Sequence, residues 1–227
     1  RLDLPEDAHY QWHRGWLAVK PRTPWTVGGQ TYAPDTLLGI AFADFLAGKR
    51  DFQRLFVPEE RRALDGFFWC GGRLVLSILD NLRPVCEVLT PGACAWAHAE
   101  IGGLPQIGTA SIGAMDVETS ETNGDLAATI QSPVLPPSFA LLQPLAAPEI
   151  LKQGPAKFDP TGIVVTQHAV ASVDGVKIPY VQVGPPGETG EAPVHLYGYG
   201  GFQVSVLPSY GASVGKLWLE RGGTHVI

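Results

Sequence analysis

Apolar and polar positions over the first 150 residues alternate in short runs of strand length, without the long 3.6-period stripes of helices. Such runs occupy residues 16–19, 37–42, 74–79, 85–89, 110–115, 126–130 and 139–142. Turn-forming pieces lie between them, among them Val27-Gly28-Gly29-Gln30, Cys70-Gly71-Gly72-Arg73 and Thr90-Pro91-Gly92. This pattern predicts an all-β region.

From about Thr161 the character changes. Runs at 163–173 and 176–183 flank Asp174-Gly175, a dipeptide that accepts positive φ at both turn positions, and so predict a hairpin closed by two residues. A third run, Val194-His195-Leu196-Tyr197, enters Gly198-Tyr199-Gly200-Gly201-Phe202. Ser209 is placed to cap a helix whose Val214, Leu217 and Trp218 share one face, and Gly222-Gly223 ends it before a last strand, Thr224-His225-Val226-Ile227. Strand, loop, helix and strand in that order predict a parallel pair within an α/β sheet, a class different from the first region.

Composition narrows the function. Hydrophobic residues make up 45% of the 227 and charged residues 17%, which supports a folded core, and 27 glycines with 20 prolines favour many short elements. The net charge is −6 and no window gathers Lys and Arg with aromatics, so no nucleic-acid partner is expected. The long uncharged run 126–148 holds Pro133, Pro136, Pro137, Pro144 and Pro148, so no membrane span is expected. Cys70, Cys86 and Cys94 form no CxxC pair and read as free thiols, which favours a reducing cytosol slightly over a periplasm.

Candidate chemistry is sparse in the first region. His9 and His13 are four apart, but a strand follows at once and no third ligand is near, so metal binding is set aside. Asp116, Glu118, Glu121 and Asp125 read as a solvated turn around Asn123-Gly124, and Arg61-Arg62 beside Glu59-Glu60 as a mixed surface patch. The glycine-rich turn fails as a dinucleotide cradle, because Gln203 stands where the third glycine belongs. Gly211 to Lys216 falls one residue short of a P-loop and lacks its Ser or Thr. No metal and no cofactor is called for. The chain opens on Arg1 and closes on an apolar run, so a piece of a longer protein is expected.

Leu196-Tyr197-Gly198-Tyr199-Gly200-Gly201-Phe202, followed by Leu217-Trp218-Leu219-Glu220-Arg221-Gly222-Gly223, resembles the start of the hydrolase domain in the prolyl oligopeptidase family of serine peptidases. Gln167-His168 with Ser172-Val173-Asp174-Gly175-Val176-Lys177-Ile178-Pro179-Tyr180 is similar to that family's opening hairpin. Arg1-Leu2-Asp3-Leu4-Pro5, Gly15-Trp16-Leu17 and residues 74–80 resemble its late propeller blades, and Glu149-Ile150-Leu151-Lys152-Gln153 its propeller exit. Runs opening near Trp16, Leu74 and Leu126 recur at 58 and 52 residues. These intervals exceed the roughly 40 to 50 residues of one blade, and an inserted hairpin at 24–34 accounts for part of the excess.

The resemblance implies C-terminal blades of a β-propeller at 1–152 and the N-terminal part of an α/β-hydrolase catalytic domain at 153–227. It implies a serine peptidase cleaving short peptides after proline by acyl transfer. Tyr199 would donate its phenol hydrogen to the oxyanion and Phe202 would line the proline pocket. The resemblance places the catalytic Ser, Asp and His beyond Ile227, so the chain alone is expected to be inactive. His225 reads as a strand residue. Gln131 to Pro137 departs from the family's aromatic, Thr-rich strand and puts the edge of the last blade in question. The rival readings are a noncatalytic propeller-type binding module and a same-fold peptidase of other specificity, either an oligopeptidase cutting after basic residues or an acyl-peptide hydrolase. Oligomeric state is not legible.

Overall fold

A computed structural model describes residues 2–92, 95–121, 123–143, 146–187, 193–202 and 205–227. Arg1, Cys94, Pro144 and Gln203, which entered the readings above, lie outside the described residues.

The first sheet begins with β1 (His9–His13) and β2 (Trp16–Lys20), then the separate hairpin β3 (Trp25–Val27) and β4 (Gln30–Tyr32), then β5 (Leu37–Ala41), helix α1 (Phe42–Leu46) and β6 (Gln53–Phe56). Its order is β1-β2-β5-β6, antiparallel throughout, so β3–β4 is the insertion anticipated between Pro24 and Pro34. The apolar run through Phe42 was expected to stay in one strand, but the chain turns into α1 there. The Phe42 N–H donates to the Gly15 carbonyl at 2.7 Å, and Phe45 is buried against Leu17, Val19, Tyr32 and Phe52. Both faces of β2 are therefore covered, and Leu17, Ala18 and Val19 are fully buried.

The second sheet runs through β7 (Arg62–Cys70), β8 (Arg73–Asp80), β9 (Arg83–Thr90) and β10 (Ala97–Ile101). Leu74, Val75 and Leu76 on β8 are all sealed from solvent, which explains why their run is apolar without alternation. The third sheet has the order β11 (Thr109–Ala114), β12 (Leu126–Ser132), β13 (Leu135–Leu142), β14 (Glu149–Gln153). The three runs that recurred in the sequence are β2, β8 and β12, the second strand of each sheet. The segment from Gln131 to Pro137 forms the β12–β13 corner, where Ser132 Oγ accepts the Leu135 N–H at 3.1 Å, and the edge of this sheet is β14. These sheets are all-β and multi-sheet, and none closes on itself among the described residues.

The fourth sheet contains β15 (Val164–Ala171), β16 (Lys177–Gly184), β17 (Val194–Leu196) and β18 (Thr224–Val226) in the order β15-β16-β18-β17. β15–β16 and β16–β18 are antiparallel, and β17–β18 is parallel, with α2 (Ala212–Leu217) in the connection. The hairpin stands, but its turn differs from the two-residue expectation. Gly175 N–H donates to the Ser172 carbonyl at 2.9 Å, and Gly175 alone is left-handed at φ 85 while Asp174 is not. A turn through Val173 and Asp174 followed by a left-handed glycine makes a three-residue loop.

Ser209 does not cap α2. The N-cap is Gly211, with no side-chain hydrogen bond, and the buried face is Val214, Gly215, Trp218 and Leu219, leaving Leu217 61% exposed. Gly222 ends the following single 3₁₀ turn in the left-handed region as expected, at φ 82.

By contacts the chain divides into two compact units, residues 1–80, 85–101 and 114–125 in one, and 81–84, 102–113 and 126–227 in the other. The first holds a core built on Leu37, Phe67, Leu74, Leu76 and Leu89, and the second a smaller one of Phe158, Val181, Val183 and Leu219. No helix among the described residues is long and apolar enough to cross a membrane.

Candidate active site

In the second unit the chain leaves the fourth sheet at the C-terminal end of β17. Tyr197 N–H still donates to the Val226 carbonyl at 2.9 Å, and beyond it Gly198 starts the turn that carries Tyr199. The Tyr199 side chain is half exposed and lines an open cleft of about 610 Å³, and its hydroxyl has no hydrogen-bond partner among the described residues. Apolar walls come from Leu196 and Val226 of the parallel pair, Val206 of the loop that follows β17, and Val170, Ile178 and Pro179 of the hairpin. A phenol in such a place keeps a free donor facing a space large enough for a small ligand.

The glycines around Tyr199 act differently from one another. Gly198 and Gly200 have ordinary φ, and an added Cβ at either would meet nothing within 4 Å, so they leave the approach to the ring open. At Gly201 a Cβ would lie 3.2 Å from Tyr199 Oη and 3.3 Å from Cζ, so the ring folds back over that glycine. Phe202 is not brought to the cleft. It is 92% exposed and sits in the left-handed region at φ 56, an uncommon conformation for an aromatic residue.

His225 lies on β18, as read from the sequence, beside His195 on β17. Their rings stack at 4.7 Å, and Nδ1–H of His225 donates to the His195 carbonyl at 2.9 Å. Burial holds the His225 ring below its ordinary value.

The remaining sequence candidates belong to the first unit. His9 and His13 sit on β1, where His13 is buried, stacks on Trp69 at 5.2 Å and places Nδ1 3.5 Å from Glu121 Oε1. The acidic turn is structural: Asp116 accepts from the Thr119 hydroxyl at 2.9 Å and from the Glu118 N–H at 2.9 Å. These bonds, the hydroxyl's above all, hold it below the usual carboxylate range. Among the described residues no group of three or more His, Cys, Asp and Glu could hold a metal ion. Cys70 and Cys86 are buried free thiols. The hairpin wall opposite Tyr199 escaped the sequence reading. Its signal was the alternation of Ile178 and Tyr180 on one face of β16.

No family model matches the sequence. Over its whole length the chain is 32% identical to an uncharacterized peptidase of Sinorhizobium fredii, covering 31% of that protein, and 35% of the chain is 35% identical to a prolyl endopeptidase of Elizabethkingia miricola, covering 11% of it. Among solved structures, a post-proline cleaving enzyme from Rickettsia typhi superposes with a TM-score of 0.82 at 24% identity, over 99% of this chain and 33% of that one. Oligopeptidase B from Trypanosoma brucei gives 0.67 at 15% identity, over 97% and 31%. The chain thus spans about a third of the length of the relatives that it matches from end to end. Along its full length the chain is similar in sequence to peptidases, over part of it to a prolyl endopeptidase, and in fold to a post-proline cleaving enzyme and to oligopeptidase B.

Proposed function

We propose that the chain forms part of a serine peptidase of the prolyl oligopeptidase type, which cleaves short peptides after proline by acyl transfer. In this reading residues 1–152 are C-terminal propeller blades and 153–227 open an α/β-hydrolase domain. The parallel β17–β18 pair with α2 between its strands supports the second assignment, because such a unit builds a sheet covered by helices.

The observation that carries the proposal is the position of Tyr199. Its hydroxyl, without a hydrogen-bond partner among the described residues, stands in a cleft just past the C-terminal end of a parallel strand, where α/β sheets place their ligands. An attacking serine turns the scissile carbonyl into an oxyanion, and a fixed O–H donor stabilises that charge more than the neutral carbonyl. The nucleophile and its His and Asp would come from the rest of the protein, since the G-x-S-x-G spacing of Gly211-Ala212-Ser213-Val214-Gly215 follows a loop and enters α2 with no strand before it, so it builds no nucleophile elbow. Phe202, 92% exposed, would reach a proline ring only by leaving its present setting.

The test is Tyr199→Phe in the intact peptidase, assayed on short chromogenic peptides with proline at the cleaved bond and on matched peptides with arginine there or a blocked first residue. A kcat lowered by roughly ten- to a thousandfold, with KM and the circular dichroism spectrum little changed, is expected. An unchanged kcat removes the oxyanion role, and a preference for arginine or for a blocked first residue removes the proline specificity.

A further inference from the structure

A second cleft, of about 460 Å³, lies in the first unit between the edge strands β1 and β7 and the loop at Ser120 and Glu121. Four aromatic rings line it, those of Tyr10, Trp12, Phe68 and Trp69. Tyr10 is 46% exposed and Trp12 66%, unusual for large rings on a strand whose neighbour β2 is sealed. Trp12 rests on Phe42, with ring centroids 6.0 Å apart and planes inclined by 16°, so one indole face is supported and the other is open.

Glu121 sets a largely exposed carboxylate at the rim of the cleft, held only at 3.5 Å from His13 Nδ1 and 3.7 Å from Arg14 Nε. The loop that carries it brings Asp116, Glu118, Glu121 and Asp125 against Arg14 and Arg73, so negative charge is in excess. His13 is only 8% exposed, and its Nε2 and the Trp69 indole N–H are closed to solvent and have no hydrogen-bond partner among the described residues.

Aromatic faces, an excess of negative charge and an exposed carboxylate together suit an organic cation that carries N–H groups. We propose that this cleft is a binding site for a basic side chain, lysine or arginine, of an extended peptide. The ammonium or guanidinium group lies on the Trp12 face and donates to the Glu121 carboxylate. β1 and β7 each pair on one side only within their sheets, which leaves strand edges to which the peptide backbone can bond. The site contains neither Tyr199 nor Phe202 and does not depend on the proposed peptidase reading.

The experiment titrates the protein with N-acetylated, C-amidated Ala-Lys-Ala and Ala-Arg-Ala, with Ala-Gln-Ala as neutral control and tetramethylammonium as a free cation without N–H, read by tryptophan fluorescence and calorimetry. Trp12→Ala and Glu121→Gln are the site variants, both at exposed positions, with thermal melting to confirm that each is folded. Basic peptides are expected to bind roughly tenfold more tightly than the glutamine peptide, and each variant to lose about that factor. The proposal is overturned if the glutamine peptide binds equally well, if folded Trp12→Ala binds basic peptides as before, or if tetramethylammonium binds and the basic peptides do not.

Discussion

Gly215→Ala tests how closely α2 is seated in the second unit. Gly215 is buried inside the helix, and an added methyl would fall within the van der Waals volume of the Phe158 ring. That ring has little room to yield. It is 5% exposed, stacks on Tyr210 at 5.1 Å, and packs with Val181, Val183 and Leu219. Tyr210 is itself anchored, since its hydroxyl accepts the Lys157 N–H at 2.7 Å. Two effects oppose each other. Alanine in place of glycine within a helix favours folding by about 1 kcal/mol, whereas an extra methyl in a filled core costs about 1–3 kcal/mol. The helix is only six residues long, which reduces the first effect. A net loss of about 1–2 kcal/mol follows, and a Tm lowered by roughly 2–6 °C. Urea unfolding followed by circular dichroism measures it, and Phe158→Leu completes a double-mutant cycle. With the ring trimmed, Gly215→Ala is expected to become close to neutral, a coupling of about 1 kcal/mol or more. A more stable Gly215→Ala in the otherwise unchanged protein would refute the packing argument.

Leu76→Ala, which empties a sealed position on β8, is expected to cost about 2–5 kcal/mol in the same assay, and a loss below 1 kcal/mol would contradict the burial. The Cys86 thiol is pushed up to about 12 by burial, with Glu87 and Glu100 adding to it. Mass-spectrometric mapping after iodoacetamide at mildly alkaline pH is therefore expected to find Cys86 unlabelled in the folded protein and labelled in concentrated urea, and labelling at a free-thiol rate in the folded state would show that it is not enclosed. His225 is held below its ordinary value of 6.5 by burial, so the folded state binds fewer protons there than the unfolded state. Its contribution is fully present above pH 6.5 and is lost as pH falls through the folded value. His225→Leu is accordingly expected to flatten the fall of Tm below that pH, and an equally steep fall in the variant would refute the assignment.

How much of the fold could be read in advance depended on where each strand sits in its sheet. β2, β5, β8 and β12 are inner strands, apolar on both faces at most positions, and their runs stood out against the turns. The edges did not. β14 is exposed at all five residues and reads as Glu149-Ile150-Leu151-Lys152-Gln153, a sequence that nothing but its neighbour β13 makes into a strand. β7 shifts register between Leu64 and Gly66, which breaks its alternation, and β1 mixes two histidines with Tyr10, Gln11 and Trp12. Backbone pairing to an inner strand supplies what side-chain pattern does not. The Ser209 cap failed for a related reason. Local capping chemistry was present, but the contact of Gly215 with Phe158 fixes where α2 can lie, and the first turn begins two residues later than a serine cap would place it.

The site divides along the same line. Tyr199 was legible because a chemically active side chain between glycines, next to a strand end, is a local feature. Its cleft was not, since Val170, Ile178 and Pro179 reach it only through the register of β15 and β16. What aims the phenol is partly local and partly not. The Tyr197–Val226 backbone bond fixes where the turn leaves the sheet, and the close approach of the ring to Gly201 limits how far it can swing. A donor that gains from developing charge must be held in place before the charge appears. The absence of a side chain at Gly201 allows Tyr199 to settle there, so under the proposed role this glycine would belong to the positioning of the donor as much as to the flexibility of the turn.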